Sequence, residues 1–184
     1  MNIINNLINL IYEKTSIKVS RAEGVFTRFG MYQVKAYKDS EREYLVLMSQ
    51  NFFELKTPIV HIFSALHVCG SSMHQMYLAM QMISKEGGVV IYHSDNGSNI
   101  DTLLYKINMK KVQTTKSVRR KAKKKPGIKV PYKEYRTLGF IFTDLNLTRI
   151  KLVSNDLKTT QVIQELGIEI TAKVSAISTV YSEE

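Results

Sequence analysis

The sequence predicts a mixed α+β class, with a strand-rich N-terminal part and an α-β-α-β C-terminal part in one domain of residues 1–184. Three observations carry that prediction. Residues 17–63 hold four runs with strand character. A long helical stripe at 71–88 then runs straight into a short, wholly apolar segment. Residues 135–174 alternate helix-like and strand-like patterns with short connections, which suits parallel pairing through crossover helices.

The elements follow in chain order. "NLINLIYEK" places Ile4, Leu7, Ile8 and Ile11 on one stripe and predicts a short helix. "IKVSRAE" (17–23) and "MYQVKAY" (31–37) alternate apolar and polar residues, the pattern of half-buried strands. "EYLVLM" (43–48) and "PIVHIF" (58–63) are two further strands. "SSMHQMYLAMQMISKEGG" reads as a helix, with Ser71 or Ser72 able to cap its start and Gly87–Gly88 closing it. Met73, Met76, Tyr77, Met80 and Ile83 form its apolar stripe, which suits core packing more than an interface. "VVIYH" is then a buried strand. "IDTLLYKINMK" (100–110) has helical spacing, and residues 113–132 form a basic loop longer than ordinary connections. "YKEYRTLGFIFTDLN", "TRIKLVSN", "DLKTTQVIQELG" and "IEITAKV" read as helix, strand, helix and strand.

Composition narrows the classes. Of 184 residues, 44% are hydrophobic, enough for a real core. One cysteine, Cys69, excludes an internal disulfide framework and points to a reducing compartment. The opening "MNIINNLINLIYEK" lacks the basic start of a signal peptide, and no window approaches the roughly 20 apolar residues of a membrane span. A cytoplasmic location away from membranes is the expectation.

Three stretches, taken in order, resemble GTP cyclohydrolase II, the family that opens the imidazole ring of GTP at the start of riboflavin synthesis. They are "GVFTRFGMYQVKAYKD" (24–39), "MYLAMQMISKEGGVVIY" (76–92) and "YRTLGFIFTDLNLTRIKLVSNDLKTTQVIQELGIEITAKV" (135–174). The resemblance implies that family's fold, a purine nucleotide as ligand, zinc as cofactor, and a homodimer.

At the positions that carry the family's chemistry the sequence departs from it. The family's zinc is held by one cysteine followed by Cys-x-Cys-Gly. Here "HVCG" (67–70) offers His67 and Cys69, and the first cysteine has no counterpart. A rebuilt site of His67, Cys69 and His74 is one reading. The other makes Cys69 a small hydrophobe and the histidines ordinary surface residues, and it disfavours zinc.

The family's nucleotide loop falls on Asp95, Asn96, Gly97, Ser98, Asn99, Ile100 and Asp101, of which Gly97 and Ile100 match. With Asp95 and Asp101 and no arginine, this turn is a poor host for a triphosphate. The family's catalytic Asp and Arg fall on Pro131 and Lys133, and proline has no acid–base group. A triphosphate-contacting arginine of the family falls on His61. One site is partly kept: Ser154, Asn155 and Lys158 stand where the family has Thr, Asn and Lys. They can hold an anion at a helix N-terminus, or Ser154 and Asp156 can simply cap that helix. These departures predict a catalytically degenerate member; an active, divergent hydrolase and a structural or assembly subunit are the alternatives.

The net charge of +10 is concentrated. Twelve lysines and arginines lie between Asp101 and Glu134, an interval with no acidic residue. Its densest part holds Lys116, Arg119, Arg120, Lys121, Lys123, Lys124 and Lys125. Such a run binds nucleic acid or another polyanion by neutralising phosphates and releasing counterions, and Tyr105, Tyr132 and Tyr135 could stack bases beside it. In a eukaryotic host it would resemble a nuclear import signal. A solvated, charge-rich loop is the plainer reading.

Overall fold

The protein is described by a computed structural model that covers residues 17–39, 42–64, 70–95, 110–111, 135–154 and 156–175. Among these, nine strands form one mixed sheet with helices on both faces. The strands are β1 (Lys18–Val19), β2 (Glu23–Thr27), β3 (Gly30–Lys38), β4 (Arg42–Ser49), β5 (Ile59–Ser64), β6 (Gly88–Asp95), β7 (Lys110–Lys111), β8 (Arg149–Val153) and β9 (Glu169–Val174). The helices are α1 (Gly70–Glu86), α2 (Arg136–Asp144) and α3 (Leu157–Glu165).

The sheet order is β7-β2-β3-β4-β6-β5-β8-β9, with β1 also paired to β3. From β7 to β6 every pairing is antiparallel. From β6 to β9 every pairing is parallel. The strand-rich start of the sequence builds the antiparallel half, and the α-β-α-β end adds β8 and β9 to a parallel half that β5 and β6 begin.

Alternation along the strands divides the core into two layers, because successive side chains point to opposite faces. Tyr32, Val34, Leu45, Leu47, Ile59, Phe63, Val90, Tyr92 and Val153 face α1, which contributes Met76, Ala79, Met80 and Ile83. Val46, Met48, Val60, Val89, Ile91, Ile150 and Leu152 face α2 and α3, which contribute Leu138, Ile141, Phe142, Val162 and Ile163. The methionine stripe of α1 is therefore core. A buried hydrogen bond pins it: the Tyr32 hydroxyl donates to the Met80 carbonyl oxygen at 2.7 Å. On the other face the Tyr37 hydroxyl donates to Asp144 Oδ2 at 2.7 Å, and Lys35 pairs with the same carboxylate, so β3 holds the end of α2. Burial and that carboxylate both push the Tyr37 phenol up, so it stays protonated.

Three expectations need correcting. The run 17–23 is not one strand. β1 ends at Val19, and the pairing with β3 resumes at Glu23 in β2; the Ser20 hydroxyl spans the gap by accepting from the Ala36 amide at 2.9 Å. The first long helix starts at Gly70, so Ser71 and Ser72 lie in its first turn and not at its cap. Lys110, assigned to a helix, is in β7 beside Phe26; the rest of 100–109, the loop 113–132 and the N-terminal helix lie outside the described residues.

Gly87 and Gly88 close α1 as expected, and both have positive φ, 88° and 154°. At Gly88 the reason is also steric. A Cβ there would stand 2.1 Å from the Ile59 carbonyl oxygen, a backbone atom that cannot turn aside. The Gly88 amide donates to the buried Ser49 hydroxyl at 2.9 Å, which locks the start of β6 against the end of β4.

Candidate functional site at the parallel switch point

The parallel half contains two crossovers. β5 leads through α1, on one face, to β6 on one side of it. β8 leads through α3, on the opposite face, to β9 on its other side. β5 and β8 are neighbours, so the chain reverses its direction of travel between them. In open α/β sheets ligands bind at the carboxyl ends of strands at such a reversal, because the diverging helices leave a crevice there.

His61 stands at this place. It pairs with Val90 on β6 and Val153 on β8, and β8 ends level with it. By alternation with Ile59 and Phe63 its side chain lies on the α1 face. It is 7% exposed. Its Nδ1 lies 2.9 Å from the Val153 carbonyl oxygen. A carbonyl can only accept, so Nδ1 carries the proton and Nε2 presents a bare lone pair. That Nε2 is buried and has no hydrogen-bond partner among the described residues. Burial pulls the imidazole pKa down, and the Val153 hydrogen bond offsets this only in part, so the ring is neutral at pH 7. Phe63 packs beside it, ring centres 6.3 Å apart, and stacks on Tyr92 at 5.5 Å.

On the β8 side of the reversal, the turn from β8 to α3 is satisfied by its own groups. Asp156 is the N-cap: its carboxylate accepts from the Lys158 amide at 3.2 Å and from the Thr159 amide at 2.8 Å. The Thr159 hydroxyl donates to the same carboxylate at 2.6 Å, and the Asp156 amide donates to the Ser154 hydroxyl at 3.0 Å. The Thr159 hydrogen bonds hold the Asp156 carboxyl below its usual pKa, with the Lys158 amide and charge adding to them. The first amides of α3 thus already face a carboxylate. Ser154 and Lys158 belong to this turn, with Lys158 exposed, and Asn155 lies outside the described residues.

His74 sits on α1 and is exposed. His67 and Cys69 lie outside the described residues, as do Asn96 to Asp101, Pro131, Lys133, and the run Lys116, Arg119, Arg120, Lys121, Lys123, Lys124 and Lys125. Asp95 ends β6 opposite Arg42. Among the described residues no three His, Cys, Asp or Glu side chains gather closely enough to hold a metal ion. The family's own three-thiolate zinc set is not present, since the sequence has one cysteine; a mixed set of His67, Cys69 and His74 would fall partly on residues outside those described. No described helix is long and apolar enough to cross a membrane.

The family pattern described as GTP cyclohydrolase II matches residues 19–175. This chain belongs to the GTP cyclohydrolase II family. Among its relatives, GTP cyclohydrolase-2 of Campylobacter hominis is 28% identical over 151 residues, covering 78% of this chain and 76% of the relative. GTP cyclohydrolase-2 of Campylobacter fetus subsp. fetus is 31% identical over 139 residues, covering 71% and 70%. A solved structure, RibBX, a two domain 3,4-dihydroxy-2-butanone 4-phosphate synthase from A. baumannii, aligns with a TM-score of 0.49 at 12% identity, over 87% of this chain and 40% of its own.

The resemblance marked His61 as a family arginine position. What it could not supply is the tautomer, which depends on Val153 some 92 residues away in sequence. The available signal was a lone polar residue inside the apolar strand "IVHIF".

Proposed function

We propose that this member of the GTP cyclohydrolase II family binds a purine nucleotide of the GTP class at the β5–β8 switch point, without zinc-dependent opening of the ring. The single observation that carries the ligand class is the family match across 157 residues, from 19 to 175. The switch-point topology supports the location. The loss of ring opening is supported by the one-cysteine donor set, by Pro131 at a family acid–base position, and by a neutral imidazole at a family arginine position.

The relatives' shared name favours a second reading, a divergent hydrolase of the GTP cyclohydrolase II type that acts in riboflavin biosynthesis. One experiment separates the two. GTP is titrated into the full chain by calorimetry, and zinc and formate are then quantified in the same preparation. Binding with a Kd on the order of micromolar, with neither stoichiometric zinc nor formate, is the expected result. Zinc near one per chain together with formate release would establish the hydrolase and end the first reading.

The charge asymmetry supports a further ligand class, nucleic acid or another polyanion held by Lys116 and the cations Arg119 to Lys125. Counterion release makes such binding steeply salt-dependent, with a loss of about 10³-fold or more between 50 and 200 mM salt if at least six phosphates are engaged. Binding to single-stranded RNA should follow that slope and vanish when Arg119 to Lys125 are neutralised. Salt-insensitive binding would remove this idea.

A further inference from the structure

The sheet face that α2 and α3 cover is left bare at its antiparallel end among the described residues. α2 stops at Asp144, whose carboxylate pairs with Lys35 on β3. Past Lys35, alternation puts Gln33 and Met31 of β3 on this face, with Gly24 and Phe26 of β2 as their partners in register. Phe26 is 58% exposed, Met31 is 37% exposed, and Gln33 is exposed; none of them belongs to either core layer. The opposite face of the same hairpin is closed. Val25 and Tyr32 are buried in the layer that α1 covers, and the Arg28 guanidinium lies over the Tyr77 ring at 3.9 Å. Core packing therefore accounts for one side of this hairpin and not for the phenyl ring that stands in water on the other.

The charge beside this ring points to its partner. β7 pairs with β2 so that Lys110 stands opposite Phe26 in register and Lys111 opposite Val25. β7 belongs to the stretch between Asp101 and Glu134 that holds twelve cations and no acidic residue. We propose that this face is a stacking platform for single-stranded nucleic acid: Phe26 lies under a base, Met31 extends the apolar surface, and the sugar–phosphate backbone runs along the β7 edge. The inference rests on the polyanion reading above and adds to it a contact with the base, where that reading has contacts with phosphate. Every base has a π-face that stacks on an aromatic ring, and cations nearby hold the backbone. Gly24, the neighbour of Phe26 on this face, has no side chain to fill the space beside the ring. A second copy of the chain suits the face poorly, since a two-fold pairing over Phe26 would bring two basic segments together. A duplex suits it no better, because its bases are already stacked on one another.

The test separates base from phosphate. Single-stranded oligoadenylate, and inorganic polyphosphate, which has the charge and no base, are each titrated into the full chain, into Phe26→Leu and into Phe26→Trp. Phe26 is exposed, so neither substitution disturbs the core, and thermal melts check this. Phe26→Leu should weaken the RNA about tenfold and leave polyphosphate unchanged. Phe26→Trp should hold the RNA at least as tightly as the wild type. The chain has no tryptophan of its own, so the fluorescence of this variant reports the site alone; RNA should quench it and polyphosphate should not. Equal losses for the two ligands, no loss for RNA, fluorescence unchanged by bound RNA, or a wild-type chain that binds polyphosphate without RNA would overturn the inference and leave the polyanion reading standing. So would a Phe26→Leu chain that falls from dimer to monomer in sedimentation while its RNA affinity holds, which would make the face a protein interface. If the wild-type chain binds neither RNA nor polyphosphate, the polyanion reading fails first and this inference falls with it.

Discussion

The two crossovers of the parallel half are built alike and finished differently. In β8–α3–β9 the turn after the first strand closes on itself, with Asp156, Ser154 and Thr159 exchanging hydrogen bonds at the helix start. In β5–α1–β6 the first strand carries a buried imidazole whose Nε2 has no hydrogen-bond partner among the described residues. The return ends differ too. Gly88 opens β6 against the backbone of Ile59, whereas a Cβ at Gly167, before β9, would meet no atom within 4 Å. One crossover is a self-sufficient piece of scaffold. The other is tightly fitted at its base and carries, within its first strand, a buried acceptor that has no partner among the described residues.

The glycines offer the largest contrast. Gly88→Ala should cost about 3–4 kcal/mol or prevent folding, because both the positive φ and the Ile59 carbonyl oppose a side chain. Gly167→Ala, with φ of 78° and open space, should cost only about 1 kcal/mol. Urea unfolding of the two variants measures the difference. Equal losses would mean that the first crossover is no more tightly fitted than the second.

His61 should give the next effect, through pH. Its folded pKa is lowered, so between the unfolded value of about 6.5 and the lower folded one, the unfolded chain holds a proton that the folded chain does not. Stability therefore falls as pH drops below about 6.5, by at most ~1.4 kcal/mol per pH unit from this group. H61F should flatten that part of the profile. An unchanged slope would place the acid sensitivity elsewhere.

Asp156 gives the smallest effect. Asp156→Ala removes the cap of α3 and should cost about 1 kcal/mol at pH 7. The carboxyl pKa is lowered in the fold, so its contribution is present above the ordinary carboxylate value and is lost as pH falls through the folded one. The cost of the substitution should accordingly shrink in acid, as read from unfolding curves at pH 7 and pH 3. A loss independent of pH would point to packing and not to the cap.

Much of this fold was legible in the residues. Period-2 alternation at 31–37, the apolar run within 43–48, the stripe Met76–Met80–Ile83, and the glycine pair after it are local signals, and local physics decides them. The break between β1 and β2 was missed because it depends on a side chain, Ser20, standing in for a ladder bond to a distant strand. Lys110 in β7 was missed for a like reason: two residues become a strand only because β2 offers an edge. At the site, the cap role of Asp156 could be read from spacing, while the bare Nε2 of His61 could not. A histidine in an apolar strand is visible, but its tautomer is set by a carbonyl that only the tertiary fold brings near.

The central claim is that the family scaffold binds its nucleotide here without opening the ring. The most direct measurement is formate quantified after the zinc-supplemented full chain is incubated with GTP under conditions where calorimetry shows the site filled. Saturable binding with formate no higher than in a protein-free blank is the predicted result. Formate accumulating in proportion to protein and time would contradict it.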